Sequence, residues 1–124
     1  MKVLLVDDTR TLLSLIQVYL MGWQMEFVEA KDGTEGLARA REHKPALVIS
    51  DVRMPGLDGF ELCAAIRADP ILHKTPIVLL TSLADDASRK KGKLVGATAF
   101  LTKPVSVEEL RKTVGGILQL PARR

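Results

Sequence analysis

The sequence predicts an α/β fold in which five helices cover a doubly wound parallel sheet of five strands. Three observations support this fold class. Five short apolar runs alternate with five segments of helical periodicity along the 124 residues. The run ALVI at residues 46–49 contains no polar residue, which is typical of a strand buried on both faces. Four of the five runs end at polar side chains. Strands that alternate with helices favour a parallel sheet, because consecutive parallel strands need crossover connections.

The predicted strands are residues 2–6, 25–29, 46–49, 76–80 and 98–101. The second strand ends without a reactive side chain, which indicates an edge strand away from the ligand-binding switch point. The predicted helices span about residues 9–20, 32–43, 58–70, 84–94 and 106–118. The last of these and the helices beginning at Asp32 and Asp58 have the spacing of a capping box, with Glu three residues later. The fourth helix has the weakest pattern, since Gly92 lies inside it.

Composition limits the classes of function. A chain of 124 residues with 47% hydrophobic and 27% charged residues is one globular domain. An aromatic content of 4% and a net charge of +3 give no support for direct nucleic-acid binding. The basic run at residues 89–93 follows Asp85 and Asp86, so it is interpreted as compensation of a helix dipole.

The same composition indicates a cytoplasmic protein. The only cysteine, Cys63, excludes an internal disulfide and is predicted to be a core side chain. The chain has no apolar run of membrane-spanning length, and Asp7 and Asp8 interrupt the N-terminal run too early for a signal peptide.

Side chains at the ends of four strands define a candidate site. Asp7 and Asp8 follow the first strand, Asp51 the third, Thr81 the fourth and Lys103 the fifth. The carboxyl ends of parallel strands share one edge of a sheet, where ligands bind at the switch point. Three carboxylates in one crevice repel one another, and hard oxygen ligands suit Mg²⁺, which shares its coordination sphere with phosphate. We therefore expect a magnesium site there.

The charges of the candidate site indicate phosphoryl transfer. Lys103 provides a compact positive charge and Thr81 a hydroxyl, both suited to phosphoryl oxygens. Asp51 is the candidate nucleophile, because it stands alone on the central strand opposite the pair Asp7 and Asp8.

Other ligand classes are disfavoured. His43 and His73 are predicted to be surface residues, and no His or Cys cluster favours zinc. A GxGxxG motif does not follow the first strand, so nucleotide binding is not expected.

Four motifs resemble those of the receiver domain of two-component response regulators, in particular the stand-alone chemotaxis-regulator type. They are VDD at residues 6–8, SDVRMPGLDG at 50–59, LLTS at 79–82 and FLTKP at 100–104. The resemblance covers about residues 2–118 and implies a flavodoxin-like sheet of strand order 2-1-3-4-5. It also implies a receiver domain over residues 1–120, with 121–124 as a tail or the start of a linker to an output domain.

The resemblance implies a role for each candidate residue. A phosphohistidine of a sensor histidine kinase or phosphotransfer protein would donate its phosphoryl group to Asp51. Thr81 and Lys103 would then bond the phosphoryl oxygens. Mg²⁺ would be held by Asp8, Asp51 and the main-chain oxygen of Arg53, and by Asp7 through a water molecule.

The resemblance further implies a switch, in which movement of the Thr81 hydroxyl is coupled to Phe100. Without a phenolic hydroxyl, Phe100 can change its burial but cannot form an outward hydrogen bond. Output would pass to a partner protein or domain through the fourth helix, fifth strand and fifth helix, and homodimerisation through that face stays open. Arg53 and Leu83 cannot position a hydrolytic water with a carboxylate or amide, so slow self-dephosphorylation is predicted.

Two other interpretations share these residues. A small metal-dependent phosphatase with an aspartyl nucleophile normally needs a cap or second domain, for which 124 residues leave no room. A pseudo-receiver would bind partners without phosphorylation, but the presence of all five site residues argues against it. Metal binding would distinguish the pseudo-receiver from the switch.

Overall fold

The computed structural model describes residues 1–82 and 85–121. The strands are β1 (Lys2–Val6), β2 (Glu26–Ala30), β3 (Leu47–Asp51), β4 (Ile77–Thr81) and β5 (Ala99–Thr102). The helices are α1 (Arg10–Tyr19), α2 (Gly33–His43), α3 (Gly59–Ala68), α4 (Asp86–Leu94) and α5 (Val107–Leu118). The predicted fold class and the order of elements are confirmed.

Strands β2 to β5 begin one residue later than predicted. Strands β2, β4 and β5 also end one residue later, and β3 ends two residues later, at Asp51. The reason is that the hydrogen-bonded ladder continues past the apolar run. The amide of Val52 donates to Leu80 O at 2.9 Å, and the amide of Lys103 donates to Thr81 O at 2.7 Å. Asp51 and Thr81 are therefore the last residues of their strands, held by the sheet itself.

The five strands form one parallel sheet of order β2-β1-β3-β4-β5, as predicted. Strand β1 pairs with both β2 and β3, so the strand order reverses at its carboxyl end. The register pairs Val6 with Ser50 and Asp51 with Leu80. The carboxyl ends of β1, β3 and β4 therefore lie side by side at the switch point, where ligands bind in such sheets.

Two hydrophobic layers cover the sheet, one on each face. In β1 the alternate residues Val3 and Leu5 pack with α1 and α5, whereas Leu4 and Val6 pack with α2 and α3. Cys63 is fully buried in the second layer, as predicted. This double burial explains why the central strands read as unbroken apolar runs.

The N-termini of α2, α3 and α5 are capped at the predicted positions. The side chains that accept a hydrogen bond from the amide three residues later are those of Asp32, Asp58 and Ser106. At Asp58 the capping box is complete, since Glu61 Oε1 accepts from the Asp58 amide at 2.9 Å. At the start of α2, Glu35 instead accepts from the Lys31 amide at 2.7 Å. Sequence spacing thus located these helix starts.

Helix α4 follows an N-cap at Asp85, whose side chain accepts from the Ser88 amide at 2.8 Å. The predicted start at residue 84 lies outside the described residues, as do Leu83 and all of the predicted tail except Pro121. Gly92 packs against the ring of Phe100, and a Cβ on Gly92 would lie 3.0 Å from Phe100 Cδ1. The glycine therefore serves close approach of α4 to β5. None of the described helices has the length and apolarity needed to cross a lipid bilayer.

Candidate functional site

The structure places three carboxylates next to one another at the carboxyl edge of the sheet. One oxygen each from Asp7, Asp8 and Asp51 lies within 4.8 Å of the other two. Asp7 and Asp51 are buried and Asp8 is exposed. Two neighbouring strands deliver them, because Asp7 and Asp8 follow β1 and Asp51 ends β3.

Asp7 has one satisfied and one unsatisfied oxygen. Its Oδ1 accepts from the Thr9 amide at 2.7 Å. Its Oδ2 is buried and has no hydrogen-bond partner among the described residues. Lys103 Nζ lies 3.8 Å from this oxygen, which is too long for a hydrogen bond. Burial raises the pKa of the Asp7 carboxyl, the hydrogen bond from Thr9 opposes this rise, and the charge of Asp51 adds to it. Burial of an oxygen without a hydrogen-bond partner costs free energy unless a ligand binds to that oxygen.

Lys103 supplies the positive charge of the site. Its Nζ lies 3.1 Å from Asp51 Oδ1, and its side chain is partly buried. The residue follows β5 and precedes Pro104 through a cis peptide bond. Thr81 ends β4 as a buried residue, paired in register with Thr102. Lys103 and Thr81 thus border the carboxylates on the β4 and β5 side.

The donor set of the site fits a divalent cation. The site contains three carboxylates and one ammonium, so its net charge is negative when the carboxylates are ionised. Asp7 Oδ2 is a hard oxygen donor that has no hydrogen-bond partner among the described residues and lies 3.8 Å from the Lys103 ammonium. Such oxygen ligands suit Mg²⁺. Arg53 lies in the loop between β3 and α3 with an exposed side chain, and the role of its main-chain oxygen stays a prediction.

Two cavities flank the carboxylates. One has a volume of about 470 Å³ and is bordered by the β3–α3 loop, Asp8 and Lys91 of α4. The other, of about 430 Å³, has mostly apolar walls from α1 and α5 and includes Lys103 and Pro104. Asp8 thus faces the cavity with several charged lining residues, and Lys103 faces the apolar one.

Thr81 and Phe100 project from the same face of the sheet. Phe100 pairs with Leu79 in register, and Thr81 lies two residues beyond Leu79. Phe100 is half-buried, and the guanidinium of Arg89 lies 5.6 Å from its ring centroid. Arg89 Nη2 also donates to Thr102 Oγ1 at 3.3 Å. The aromatic ring therefore lies between β5 and α4.

Sequence reasoning missed Lys91 by treating residues 89–93 as one basic run. The structure divides the run: Arg89 contacts Phe100, whereas Lys91 lies over the ring of Phe60 and lines the polar cavity. The rotation of about 100° per residue in a helix was the available signal, since it separates positions two apart by about 200°.

The two histidines lie outside the site. His73 is exposed, as predicted, whereas His43 is partly buried and its ring Nδ1 lies 3.3 Å from Lys2 Nζ. Neither histidine belongs to the cluster of carboxylates.

Comparison with known proteins identifies the family. Residues 3–115 match the Response regulator receiver domain family. The chain belongs to this family. PilG of Pseudomonas aeruginosa is 34% identical over 110 residues, which cover 89% of this chain and 82% of PilG.

Solved structures agree with this assignment. A putative response regulator from Chloroflexus aurantiacus is 34% identical with a TM-score of 0.89, over 95% of this receiver domain and 97% of that chain. The chemotaxis response regulator CheY4 of Vibrio cholerae is 38% identical with a TM-score of 0.86, over 94% of this chain and 97% of that chain. The resemblance seen in the sequence is confirmed. A receiver domain is a phosphoacceptor switch in phosphorelay signalling.

Proposed function

We propose that Asp51 is the phosphoacceptor of this receiver domain, and that its donor is a phosphohistidine of a sensor histidine kinase or phosphotransfer protein. The observation that carries this proposal is the Lys103 ammonium 3.1 Å from Asp51 Oδ1, beside an Asp7 oxygen that has no hydrogen-bond partner among the described residues. In the transfer, the P–N bond of the donor breaks as an Asp51 oxygen forms a new P–O bond. The imidazole leaves with the electron pair of the broken bond.

The metal ligands in this proposal are Asp7, Asp8, Asp51 and the main-chain oxygen of Arg53. Mg²⁺ supplies charge neutralisation at the carboxylates and at the phosphoryl oxygens. Asp7 is fixed for this role by the Thr9 amide, which leaves its second oxygen available. Lys103 pairs with Asp51 before transfer and is positioned to bond a phosphoryl oxygen afterwards, together with the Thr81 hydroxyl.

The switch in this proposal couples Thr81 to Phe100 and helix α4. Both side chains project from one face of the sheet, and Gly92 allows the ring of Phe100 to touch α4. A change in the burial of Phe100 therefore alters the contact between β5 and α4. The partner protein or output domain would read this change on the face formed by α4, β5 and α5, where a homodimer is an alternative occupant.

Two finer statements complete the proposal. The domain catalyses only its own phosphorylation and dephosphorylation, and it acts in the cytoplasm without direct contact to nucleic acid or membrane. Its phosphorylated state is long-lived, because Arg53 offers no carboxylate or amide that could position a hydrolytic water.

The deciding experiment is intact mass spectrometry after incubation with Mg²⁺ and acetyl phosphate. We expect one phosphoryl adduct on the native protein and on Asp86→Ala, which removes an exposed carboxylate in α4. We expect no adduct on Asp51→Ala or without Mg²⁺. A folded native protein that forms no adduct would overturn the proposal in favour of a pseudo-receiver.

A further inference from the structure

Lys91 projects from α4 over the polar cavity that adjoins the carboxylates. Its ammonium lies 5.0 Å from the centroid of the Phe60 ring, which is itself buried at the base of α3. A cation over an aromatic face is held by the electrostatic field of the ring. The ring contact therefore keeps the Lys91 charge beside the cavity while the side chain stays exposed to incoming molecules.

The described lining of this cavity includes two acidic and two basic residues: Asp8, Asp58, Arg53 and Lys91. The two acidic side chains already have structural partners, whereas the two basic ones form no ion pair among the described residues. Asp58 Oδ1 accepts from the Glu61 amide at 2.8 Å as the cap of α3. Asp8 belongs to the carboxylate cluster. Within residues 1–82 and 85–121, Arg53 and Lys91 form no ion pair with a carboxylate. Two cations are thus available to an anion that enters the cavity.

The cavity adjoins the proposed phosphoacceptor Asp51. Its lining includes Asp8 and Val52, the residue directly after Asp51. In phosphoryl transfer the attacking and leaving oxygens are roughly in line through phosphorus. The leaving group therefore lies on the far side of phosphorus from Asp51. The β3–α3 loop and α4 border this open cavity, so a small leaving group that departs on this side meets their charges.

We propose that Lys91 is a specificity-determining residue that favours small acyl phosphates, whose leaving group is a carboxylate anion. This inference rests on the proposed role of Asp51 as phosphoacceptor. In the transfer, the P–O bond to the acyl oxygen breaks, a P–O bond to Asp51 forms, and the acyl group departs as a carboxylate with the bonding electron pair. No proton is needed. The Lys91 ammonium stabilises the negative charge that grows on the departing carboxylate.

A donor with a neutral leaving group gains nothing from this charge. Phosphoramidate, in its N-protonated form, transfers its phosphoryl group to Asp51 as the P–N bond breaks and ammonia departs. No negative charge develops on the ammonia. The ratio of the two transfer rates therefore reports the contribution of Lys91, independently of changes at the carboxylates, which act on both donors.

The test compares second-order rate constants of adduct formation with acetyl phosphate and phosphoramidate, each in Mg²⁺. We expect Lys91→Ala to slow transfer from acetyl phosphate roughly three- to tenfold and to leave transfer from phosphoramidate unchanged. Lys91→Arg, which keeps the charge, retains most of the rate. Lys90→Ala is the matched control, since Lys90 is the exposed neighbour in α4. Raising the ionic strength reduces the effect of Lys91→Ala.

An unchanged ratio of the two rates in Lys91→Ala would overturn the inference, whether neither rate changes or both fall by the same factor. An equal fall with both donors would indicate displacement of α4. Failure of the native protein to accept a phosphoryl group from either donor would instead overturn the proposed function. The two failures are therefore distinguishable.

Discussion

The two ends of the sheet use polar groups in opposite ways. At the carboxyl end, Asp7 Oδ2 is buried without a hydrogen-bond partner among the described residues. At the amino end, Arg67 donates to the carbonyl oxygens of Gly96 at 2.9 Å, His73 at 3.2 Å and Thr75 at 2.6 Å. One arginine thereby connects the loop that precedes β4 to the loop that precedes β5. The contacts at the amino end thus stabilise the fold, whereas the carboxyl end leaves a carboxylate oxygen available to a ligand.

A second arginine has the same role at the amino end. Arg111 of α5 donates to the carbonyl oxygens of Tyr19 at 2.9 Å and Met21 at 2.8 Å. Its guanidinium also lies 4.1 Å from the ring centroid of Trp23. These contacts satisfy carbonyl groups at the end of α1 and connect it to α5.

The largest effect is expected from a methyl group placed at the carboxyl end. In Gly59→Ala the new Cβ would lie 2.4 Å from Asp51 O and 2.8 Å from Val52 Cα. We expect a loss of about 3 kcal/mol in the free energy of unfolding and a slower phosphorylation, because the end of β3 must move. In the control Gly116→Ala the new Cβ would meet no described atom within 4 Å apart from its chain neighbours and the nearby backbone of α5, and the variant should gain up to about 1 kcal/mol. Urea denaturation measures the free energy of unfolding, and adduct formation measures the phosphorylation rate. Equal stabilities and rates of the two variants would contradict the expected clash at the end of β3.

Removal of Arg67 should damage stability without damaging chemistry. Arg67→Ala leaves its carbonyl acceptors without their donor, and we expect a loss of about 2 kcal/mol in the free energy of unfolding. The rate of phosphorylation by acetyl phosphate should stay unchanged, since the residue lies at the other end of the sheet. The control Arg39→Ala removes a partly buried arginine that pairs with Glu35 and Glu42 on the surface of α2, and should cost about 0.5 kcal/mol or less. A slower phosphorylation in folded Arg67→Ala would show that the two ends are coupled.

The smallest expected effect, and the most specific, concerns the contributions of Asp7 and Asp69 to the free energy of unfolding. These two contributions should change with pH in opposite directions. Burial raises the folded-state pKa of Asp7, so without Mg²⁺ its contribution to stability falls as pH rises through and above its ordinary value of 3.8. The pKa of Asp69 is lowered, chiefly by a hydrogen bond from the Ile71 amide and further by Arg41, so its contribution is lost as pH falls below 3.8.

Urea denaturation between about pH 3 and pH 7 tests this opposition. Relative to the native protein, Asp7→Asn should become more stable as pH rises, and Asp69→Asn should become less stable. Added Mg²⁺ should stabilise the native protein but not Asp7→Asn at neutral pH, since Asp7 is a proposed ligand. Parallel pH profiles of the two variants would refute the contrast between the two ends.

Much of the fold and of the candidate site was predictable from the sequence. Apolar runs that stop at polar residues located the strands to within one or two residues, and the parallel topology placed Asp7, Asp8, Asp51 and Lys103 at one edge. Capping residues located the starts of three helices. These signals are local, because burial of alternate faces and satisfaction of helix ends depend on nearby residues.

The tertiary structure alone decided the features that depend on which elements meet. Residues 89–93 look like one basic patch, but packing of α4 directs Arg89 to Phe100 and Lys91 to Phe60. Gly92, a helix-weakening residue by propensity, is explained only by the ring that it contacts. Likewise, the Asp7 oxygen without a hydrogen bond among the described residues and the carbonyl partners of Arg67 result from loops brought together by the sheet. Propensity and periodicity act within one segment, whereas these contacts join segments whose relative position is set by the packed core.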